Sequence, residues 1–180
     1  MGLTLILGGA RSGKSGHAQR LAQSFNLPVT VIATAEARDA EMLDRIRRHR
    51  AERPAAWRTV EAPRQLAEAL AREAGPRKCL VVDCLTLWLN NWLDELHSPR
   101  YPAAKDQLLT TLPKLPGEII LVANEVGLGI VPLGELSRRF VDEAGWLNQA
   151  IAKLADDVVF VAAGLPLNLK ATPRHDPYSE

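Results

Sequence analysis

The stretch GGARSGKS, from Gly8 to Ser15, contains side chains whose spacing could hold a nucleoside triphosphate. It matches the G-x-x-x-x-G-K-[ST] pattern of a phosphate-binding loop. Successive backbone N–H groups of such a loop surround the phosphates, and its glycines allow the backbone angles that this requires. Lys14 is placed to neutralise the β and γ phosphates, and the Ser15 hydroxyl can bind Mg²⁺. The residues predicted to contact the nucleotide here are Gly8, Gly9, Ala10, Arg11, Ser12, Gly13, Lys14 and Ser15.

The surroundings of this loop favour phosphate binding over a glycine turn that merely joins a strand to a helix. The apolar segment LTLILGG precedes the loop, and the amphipathic segment KSGHAQRLAQSF follows it. A phosphate loop has to lie between a strand and a helix, because the helix directs its positive N-terminal end at the anion. We therefore predict a nucleotide site at this point in the chain.

A second stretch, DRIRRHRAERP from Asp44 to Pro54, concentrates positive charge around His49. The arginines are Arg45, Arg47, Arg48, Arg50 and Arg53, although the formal net charge of the whole chain is only +1. Because acids precede the bases along a predicted helix, the cluster could simply complement the helix dipole, an effect of about 0.3–1 kcal/mol per group. Alternatively, the arginines could bind phosphate oxygens while an uncharged imidazole attacks phosphorus. The residues alone leave both interpretations of His49 open.

Polar residues at two further predicted strand ends could belong to the same site. The segment LVVDC places Asp83 where the second acidic element of a phosphate-loop protein holds Mg²⁺, directly or through water. The segment VANEVGLG places Asn124 and Glu125 at another strand end, and the carboxyl ends of strands in an open α/β sheet line the ligand crevice. A capped loop with glycine turns explains Asn124 and Glu125 equally well.

The pattern along the chain predicts an α/β fold, in which short apolar runs alternate with segments of helical period. We expect a single domain over residues 1–170, with a mainly parallel sheet flanked by helices, and a disordered tail over 171–180. The helix with the arginine cluster should direct Met42, Leu43 and Ile46 inward, and His49 shares that face. The segment HSPRYPAAK is expected to be an irregular insertion. The predicted strands are LTLILGG, PVTVIATA, the start of KCLVVDCLTLWLNNWL, GEIILVANEVG and DDVVFVAAG.

Composition excludes several classes of function. The chain has 24% charged residues and no basic excess, which argues against a general nucleic-acid binder. No apolar run reaches the roughly 18 residues needed to span a bilayer, and no signal-peptide pattern opens the sequence. Cys79 and Cys84 lie in or beside an apolar run and suit reduced thiols in the cytoplasm.

The remaining histidines and the tryptophans are weaker candidates. His17, His97 and His175 are expected to be surface or solvated residues. The tryptophans are expected to pack or to form an interface, rather than to form a cofactor cage. On one predicted helical face the apolar side chains suggest a surface for a partner or substrate. These are Leu85, Trp88, Leu89 and Trp92.

Several longer blocks of sequence are more specific than the phosphate loop. They are RI..HR..RP..W.T.E.P, which contains His49, and NEVG.GIVP, together with DCLTLWLNN and AGLPLNLK. With these blocks in order, the chain to about Lys170 resembles the bifunctional adenosylcobinamide kinase/adenosylcobinamide-phosphate guanylyltransferases of cobalamin biosynthesis. The resemblance implies a RecA-like fold that binds GTP, ATP and Mg²⁺. It also implies a homo-oligomer, with a trimer as the expected form.

The resemblance further implies two reactions and assigns residues to them. ATP or GTP phosphorylates the terminal hydroxyl of adenosylcobinamide; GTP then guanylylates a histidine, from which adenosylcobinamide phosphate takes GMP. The matching histidine is His49, and Lys14 is the second expected catalytic residue. Some members have another histidine just before the nucleophile, where this chain has Arg48. The residues implied to lie around the nucleotide are Ala33, Thr34, Ala35, Arg50, Ala51, Glu52, Arg53, Glu61 and Asp83, with Ser15 and Asp83 at the metal.

Three other functions remain as alternatives. A plain small-molecule kinase would need the phosphate loop but not His49. A relative that kept only guanylyl transfer would receive a substrate that is already phosphorylated. A nucleotide-binding regulatory module would form no product from cobinamide.

Overall fold

A computed structural model describes residues 2–37, 39–51 and 53–171, apart from the side chain of Arg45. Within these ranges the chain forms one seven-stranded sheet in the order β3-β2-β4-β5-β1-β6-β7. Strands β1 to β6 are parallel to one another, and β7 runs antiparallel to β6. The strands are β1 (Gly2–Gly8), β2 (Val29–Ala33), β3 (Arg58–Glu61), β4 (Cys79–Asp83), β5 (Glu118–Asn124), β6 (Asp157–Ala162) and β7 (Leu165–Lys170). The predicted α/β fold with a mainly parallel sheet is confirmed.

Helices cover both faces of the sheet, as the apolar runs of its central strands require. On one face α1 packs on Ile6, Val81 and Ile120, while α3, α4, α5 and α6 pack on the alternate residues such as Leu5 and Leu121. Among the described residues, neither core cluster contains a residue of α2. The helices are α1 (Lys14–Ser24), α2 (Ala40–Ala51), α3 (Leu66–Glu73), α4 (Leu85–Asn90), α5 (Arg100–Thr111) and α6 (Glu135–Leu154).

Two edge strands were not predicted. Strand β3 is a four-residue strand at one edge, and all its side chains are at least partly exposed. Strand β7 lies at the other edge, and all six of its residues are exposed. Edge strands are held mainly by their backbone pairing to a neighbour, so neither has the buried apolar run by which the central strands are recognised.

The segment HSPRYPAAK is not an irregular insertion, because α5 begins within it at Arg100. Pro99 precedes the helix and Pro102 lies in its first turn, where a missing N–H breaks no helical hydrogen bond. Tyr101 is fully buried and fixes this turn to the core. Prolines at this position start the helix rather than interrupt it.

The apolar face of α4 is part of the core and is not a surface for a partner. Leu85, Trp88 and Leu89 are each about 1% exposed or less, and Trp92 is 8% exposed. Trp88 donates its indole N–H to the carbonyl of Arg64 at 2.9 Å, so its polar atom is satisfied inside the fold. The exposed tryptophan is Trp146 on α6, at 54%. The tail over 171–180 was expected to be disordered, and its residues from 172 onward lie outside the described ranges.

Candidate active site

The phosphate loop joins β1 to α1, as predicted. The N–H of Ser12 and the ammonium group of Lys14 both reach the carbonyl of Gly9, each at 3.2 Å. The side chain of Lys14 is buried, with 8% of the residue exposed. A cationic group at the first residue of α1 adds to the positive end of the helix dipole, so this turn attracts an anion.

Glycine is required at two positions of the loop. Gly13 has a φ of 96°, and a Cβ there would lie 2.9 Å from the Cα of Gly164. A Cβ on Gly8 would lie 2.5 Å from the carbonyl oxygen of Val161. Gly164 also donates its N–H to the carbonyl of Ser12 at 2.8 Å. The turn between β6 and β7 therefore supports the loop from behind, a contact that the sequence does not indicate.

Helix α2 lies over the carboxyl ends of the strands. Its first turn is capped by Asp39, whose carboxylate accepts the N–H of Met42 at 2.7 Å. Met42, Ile46 and His49 are half-buried and line the same cleft as the phosphate loop. Leu43 lines it too, although at 39% exposed it is not the buried residue that was expected. The inward face of α2 thus faces the cleft instead of the core.

The cleft has a volume of about 860 Å³ and brings most of the predicted site residues together. His49 and Lys14, the two expected catalytic residues, both line it. It extends between the phosphate loop, the ends of β2 to β5 and helix α2. The predicted residues that line it are Ala10, Arg11, Gly13, Lys14, Ser15, Ala33, Ala35, His49, Arg50, Arg53, Glu61 and Asp83.

Other predicted site residues do not line the cleft. Gly8, Gly9 and Ser12 form the loop behind its lining, and Ala51 is exposed at the end of α2. Glu52 lies outside the described residues. The cleft-lining arginines of the cluster are Arg47, Arg48, Arg50 and Arg53, whereas the side chain of Arg45 is not described.

Thr34 differs most from its expected position. It is fully buried, and its hydroxyl donates to the carbonyl of Cys84 at 2.7 Å and accepts the N–H of Cys84 at 2.9 Å. Its own carbonyl accepts a hydrogen bond from the side chain of Asn91 at 2.7 Å. The side chain of Thr34 therefore ties the end of β2 to the end of β4 instead of facing the cleft.

One ion pair connects the region after α2 to the sheet. Arg53 donates to the Oδ2 atom of Asp83 at 2.8 Å, and these side chains are only 16% and 24% exposed. Its other terminal nitrogen lies 3.4 Å from the hydroxyl of Thr59. Asp83, predicted from its strand-end position, thus holds the arginine that follows α2 by two residues. By contrast, the pair of Arg47 with Asp44 is about 70% exposed at both side chains.

Asn124, at the end of β5, also lines the cleft. The sequence left two explanations of Asn124 and Glu125 open, a ligand crevice and a capped loop, and neither residue was among the predicted site residues. The structure separates the two, because the carboxylate of Glu125 accepts the N–H of Gly127 at 2.7 Å and so forms part of the loop that follows. Its strand-end position was the signal that could have found it.

The oxygen ligands in the cleft suit a Mg²⁺ ion that binds together with a nucleotide, rather than a metal ion held entirely by protein side chains. Within the described part of the chain there is no cluster of three or more histidine, cysteine or acidic side chains that could hold a metal. Ser15 and Asp83 nevertheless both line the cleft and offer oxygen ligands. Mg²⁺ typically takes only one or two protein oxygens and completes its shell with water and phosphate oxygens.

The cysteines are structural. Cys79 and Cys84 are unpaired and buried, as expected for reduced thiols. Burial, with Glu118 nearby, raises the pKa of the Cys79 thiol to about 12, and burial, with Asp83 nearby, raises the pKa of Cys84 to about 11. His17 is half-buried on α1, and burial and then Arg20 lower its pKa. No helix in the described ranges is long and apolar enough to cross a membrane.

The parallel sheet, the phosphate loop and the acid at the end of β4 define a P-loop nucleotide-binding protein. Two solved structures share the fold: the RadB recombinase (TM-score 0.53, 16% identity, 88% of this chain and 73% of that one) and a Pyrococcus horikoshii protein (TM-score 0.54, 9% identity, 94% and 86%). At these identities the similarity shows the fold alone.

The family model described as cobinamide kinase / cobinamide phosphate guanyltransferase matches residues 4–169. The bifunctional adenosylcobalamin biosynthesis protein CobP of Pseudomonas aeruginosa is 59% identical over 169 residues, covering 94% of this chain and 98% of that protein. The protein CobU of Escherichia coli, described by the same words, is 36% identical over 93% of this chain and 99% of its own length. The chain belongs to the cobinamide kinase / cobinamide phosphate guanyltransferase family, which confirms the resemblance.

Proposed function

We propose that this chain performs both reactions for which its family is described, in the order kinase and then guanylyltransferase, and that His49 is the residue that becomes guanylylated. The supporting observation is that His49 and Lys14 line one cleft. A nucleotide held by the phosphate loop is therefore within the space that the imidazole faces. The substrates proposed are adenosylcobinamide, its phosphate, GTP and ATP.

In the first reaction, the terminal hydroxyl oxygen of adenosylcobinamide bonds to the γ-phosphorus of the triphosphate. The bond from that phosphorus to the bridging oxygen breaks, a nucleoside diphosphate leaves, and the hydroxyl proton passes to solvent. Lys14 neutralises charge on the β and γ phosphates as this bond breaks. The N–H groups of the loop and the start of α1 hold the same phosphates in place.

In the second reaction, an imidazole nitrogen of His49 attacks the α-phosphorus of GTP and pyrophosphate leaves. A phosphate oxygen of adenosylcobinamide phosphate then attacks the same phosphorus, the P–N bond breaks, and His49 is restored. The attack requires an uncharged imidazole. Three exposed arginines of α2, Arg47, Arg48 and Arg50, line the cleft and can neutralise the phosphates that approach His49.

Ser15 and Asp83 would hold Mg²⁺ with the nucleotide. When bound, the ion would neutralise phosphate charge. In the described structure Asp83 is engaged with Arg53, so binding of a cation at Asp83 would compete with this ion pair.

GTP labelled in its α-phosphate tests the proposal. Purified protein should release pyrophosphate and gain one GMP, as an adduct that is stable in alkali and labile in acid. His49→Ala should lose the adduct but keep cobinamide phosphorylation, whereas His97→Ala, an exposed residue outside the cleft, should retain both activities.

Other outcomes would identify the alternatives. Phosphorylation without any adduct would indicate a plain kinase, and an adduct without phosphorylation would indicate a guanylyltransferase alone. Nucleotide binding with neither product would indicate a regulatory module. An adduct that survives in His49→Ala would reject the assignment of the nucleophile.

Two apolar surfaces support association of copies of this chain. Leu165, Leu167 and Leu169 on β7 are 72%, 61% and 57% exposed, and Ile130 and Leu133, in the segment between β5 and α6, are each 98% exposed. Contiguous exposed apolar surface usually marks an interaction site. A homo-oligomer, with a trimer as the expected form, would bury them, and sedimentation of the intact chain tests this.

The two unpaired thiols support a cytoplasmic location.

A further inference from the structure

Asn124 lies at a particular point of the sheet edge, between the two strands that form the nucleotide site. Strand β5 is flanked by β1 on one side and β4 on the other. Asn124 pairs in register with Gly8 of the phosphate loop, and Val122 pairs with Asp83. Because side chains alternate along a strand, Asn124 points to the same face as Ile120 and Val122, which is the face covered by α1. Its side chain is therefore placed between the phosphate loop and Asp83.

The backbone of Asn124 is fixed on both sides. Its N–H donates to the hydroxyl of Thr86 at 2.7 Å, and that hydroxyl lies 3.4 Å from its carbonyl oxygen. The next residue, Glu125, donates its N–H to the carbonyl of Gly8 at 3.0 Å. The side chain therefore projects from a rigid base, as a group that orients a substrate must.

The side-chain amide itself is uncommitted. Asn124 is half-buried and lines the cleft, yet its amide has no hydrogen-bond partner among the described residues. The neighbouring strand-end groups do have partners, since Asp83 holds Arg53 and Thr34 holds Cys84. Because no protein group in the described ranges occupies this amide, a ligand in the cleft can pair with it without first breaking a hydrogen bond within the fold.

We propose that Asn124 contacts the terminal phosphoryl group and the attacking hydroxyl in the phosphorylation step. This inference rests on the proposed kinase activity. The amide N–H donates to a γ-phosphoryl oxygen, and the amide oxygen accepts the hydrogen bond of the alcohol. The alcohol oxygen bonds to phosphorus, the bond to the bridging oxygen breaks, and the alcohol proton passes to solvent. Asn124 neither takes nor gives a proton, so its role is to position the two reactants.

The order of strands separates this role from guanylyl transfer. Asn124 lies on β5 in the middle of the sheet, beside the strand that leads into the phosphate loop, whereas α2 connects β2 to β3 at one edge of the sheet. The loop binds the β and γ phosphates on the side of Asn124. His49 approaches from the side of α2, toward the α-phosphorus that it attacks. The two phosphorus atoms of one triphosphate thus meet different groups of the chain.

Asn124→Ala in the intact protein tests the inference, with both reactions measured at saturating nucleotide. The kcat for phosphorylation of adenosylcobinamide should fall about 10- to 100-fold, the loss expected from hydrogen bonds to a charged group. The rate of His49 guanylylation should stay within about twofold, since the leaving bond lies on the other side of the β-phosphate. Gln23→Ala, which removes an exposed side-chain amide on α1 outside the cleft, is the matched control and should change neither rate. A kinase rate that is retained, or an equal loss of both rates, overturns the inference.

A binding measurement distinguishes failure of this inference from failure of the proposed function. The affinity for ADP is compared with that for an ATP analogue whose β–γ bond cannot be cleaved. Asn124→Ala should reduce the preference for the triphosphate several-fold and leave ADP binding unchanged, even in a preparation that forms no cobinamide phosphate. An unchanged preference overturns the role of Asn124, whatever the activity of the protein.

Discussion

Removal of Arg53 is the sharpest test of how the region after α2 is held to the sheet. Its guanidinium lies 2.8 Å from Asp83, and the side chains are 16% and 24% exposed. Exposed ion pairs contribute about 0–1 kcal/mol, whereas breaking a buried pair costs about 3–5 kcal/mol. Because the Arg53–Asp83 pair is partly exposed, its contribution to stability should lie between the values for exposed and buried pairs. Arg53→Met should therefore lower the free energy of unfolding by about 2 kcal/mol. For a chain of this size that corresponds to a melting temperature about 4–8 °C lower.

The assay is denaturant unfolding of four proteins: the wild type, Arg53→Met, Asp83→Asn and the double variant. The coupling energy between the two substitutions is the effect of the double variant minus the sum of the two single effects. Its magnitude should exceed about 1 kcal/mol if the ion pair acts as a unit. Arg47→Met is the matched control on α2, because its pair with Asp44 is about 70% exposed and its loss should change stability by less than about 0.5 kcal/mol. A coupling energy near zero, or equal effects of Arg53→Met and Arg47→Met, would refute the reasoning. Guanylylation of His49 should also slow in Arg53→Met.

Further predictions concern the loop, the core and a buried thiol. Lys14→Ala should weaken triphosphate binding by about 10- to 100-fold in calorimetric titrations, because a charge-assisted contact to phosphate is lost. Trp88→Ala should destabilise the fold by about 3–5 kcal/mol in denaturant unfolding, since the residue is 1% exposed. Burial raises the pKa of Cys79 from 9.0 to about 12, so the unfolded state releases this proton at lower pH than the folded state does. The contribution of Cys79 to stability should therefore fall as pH rises above 9, by about 1.4 kcal/mol at pH 10 relative to pH 8, in addition to the loss caused by the raised pKa of Cys84. Cys79→Ala should lack this increment when unfolding is compared at these two pH values.

The sequence predicted those parts of the site that are local in the chain. The phosphate loop from Gly8 to Ser15 has a fixed spacing, because neighbouring backbone groups must surround one anion. The central strands are continuous apolar runs, because both faces of a parallel sheet are covered. Asp83 followed from its place at the end of such a run. The long blocks around His49 identified the family, which the comparisons confirm.

Other features depend on contacts between distant parts of the chain. The hydroxyl of Thr34 belongs to a buried link with Cys84, fifty residues away, so its side chain is not in the cleft where it was expected. An apolar helix face such as the one with Trp88 on α4 is expected whether it packs in the core or forms an interface. Only the packing of neighbouring helices shows that it belongs to the core. Edge strands β3 and β7 lack a run of buried apolar residues and are held in the sheet by backbone hydrogen bonds to β2 and β6.

The sequence by itself determined that this chain binds a nucleotide through a loop between a strand and a helix, and to which family it belongs. Only the tertiary structure decided that His49 and Lys14 face one cleft, that Arg53 is held by Asp83, and that Asn124 presents a free amide among the described residues. The physical reason is that a loop motif is encoded by adjacent residues, whereas the sheet order brings together the ends of strands that are far apart in the chain.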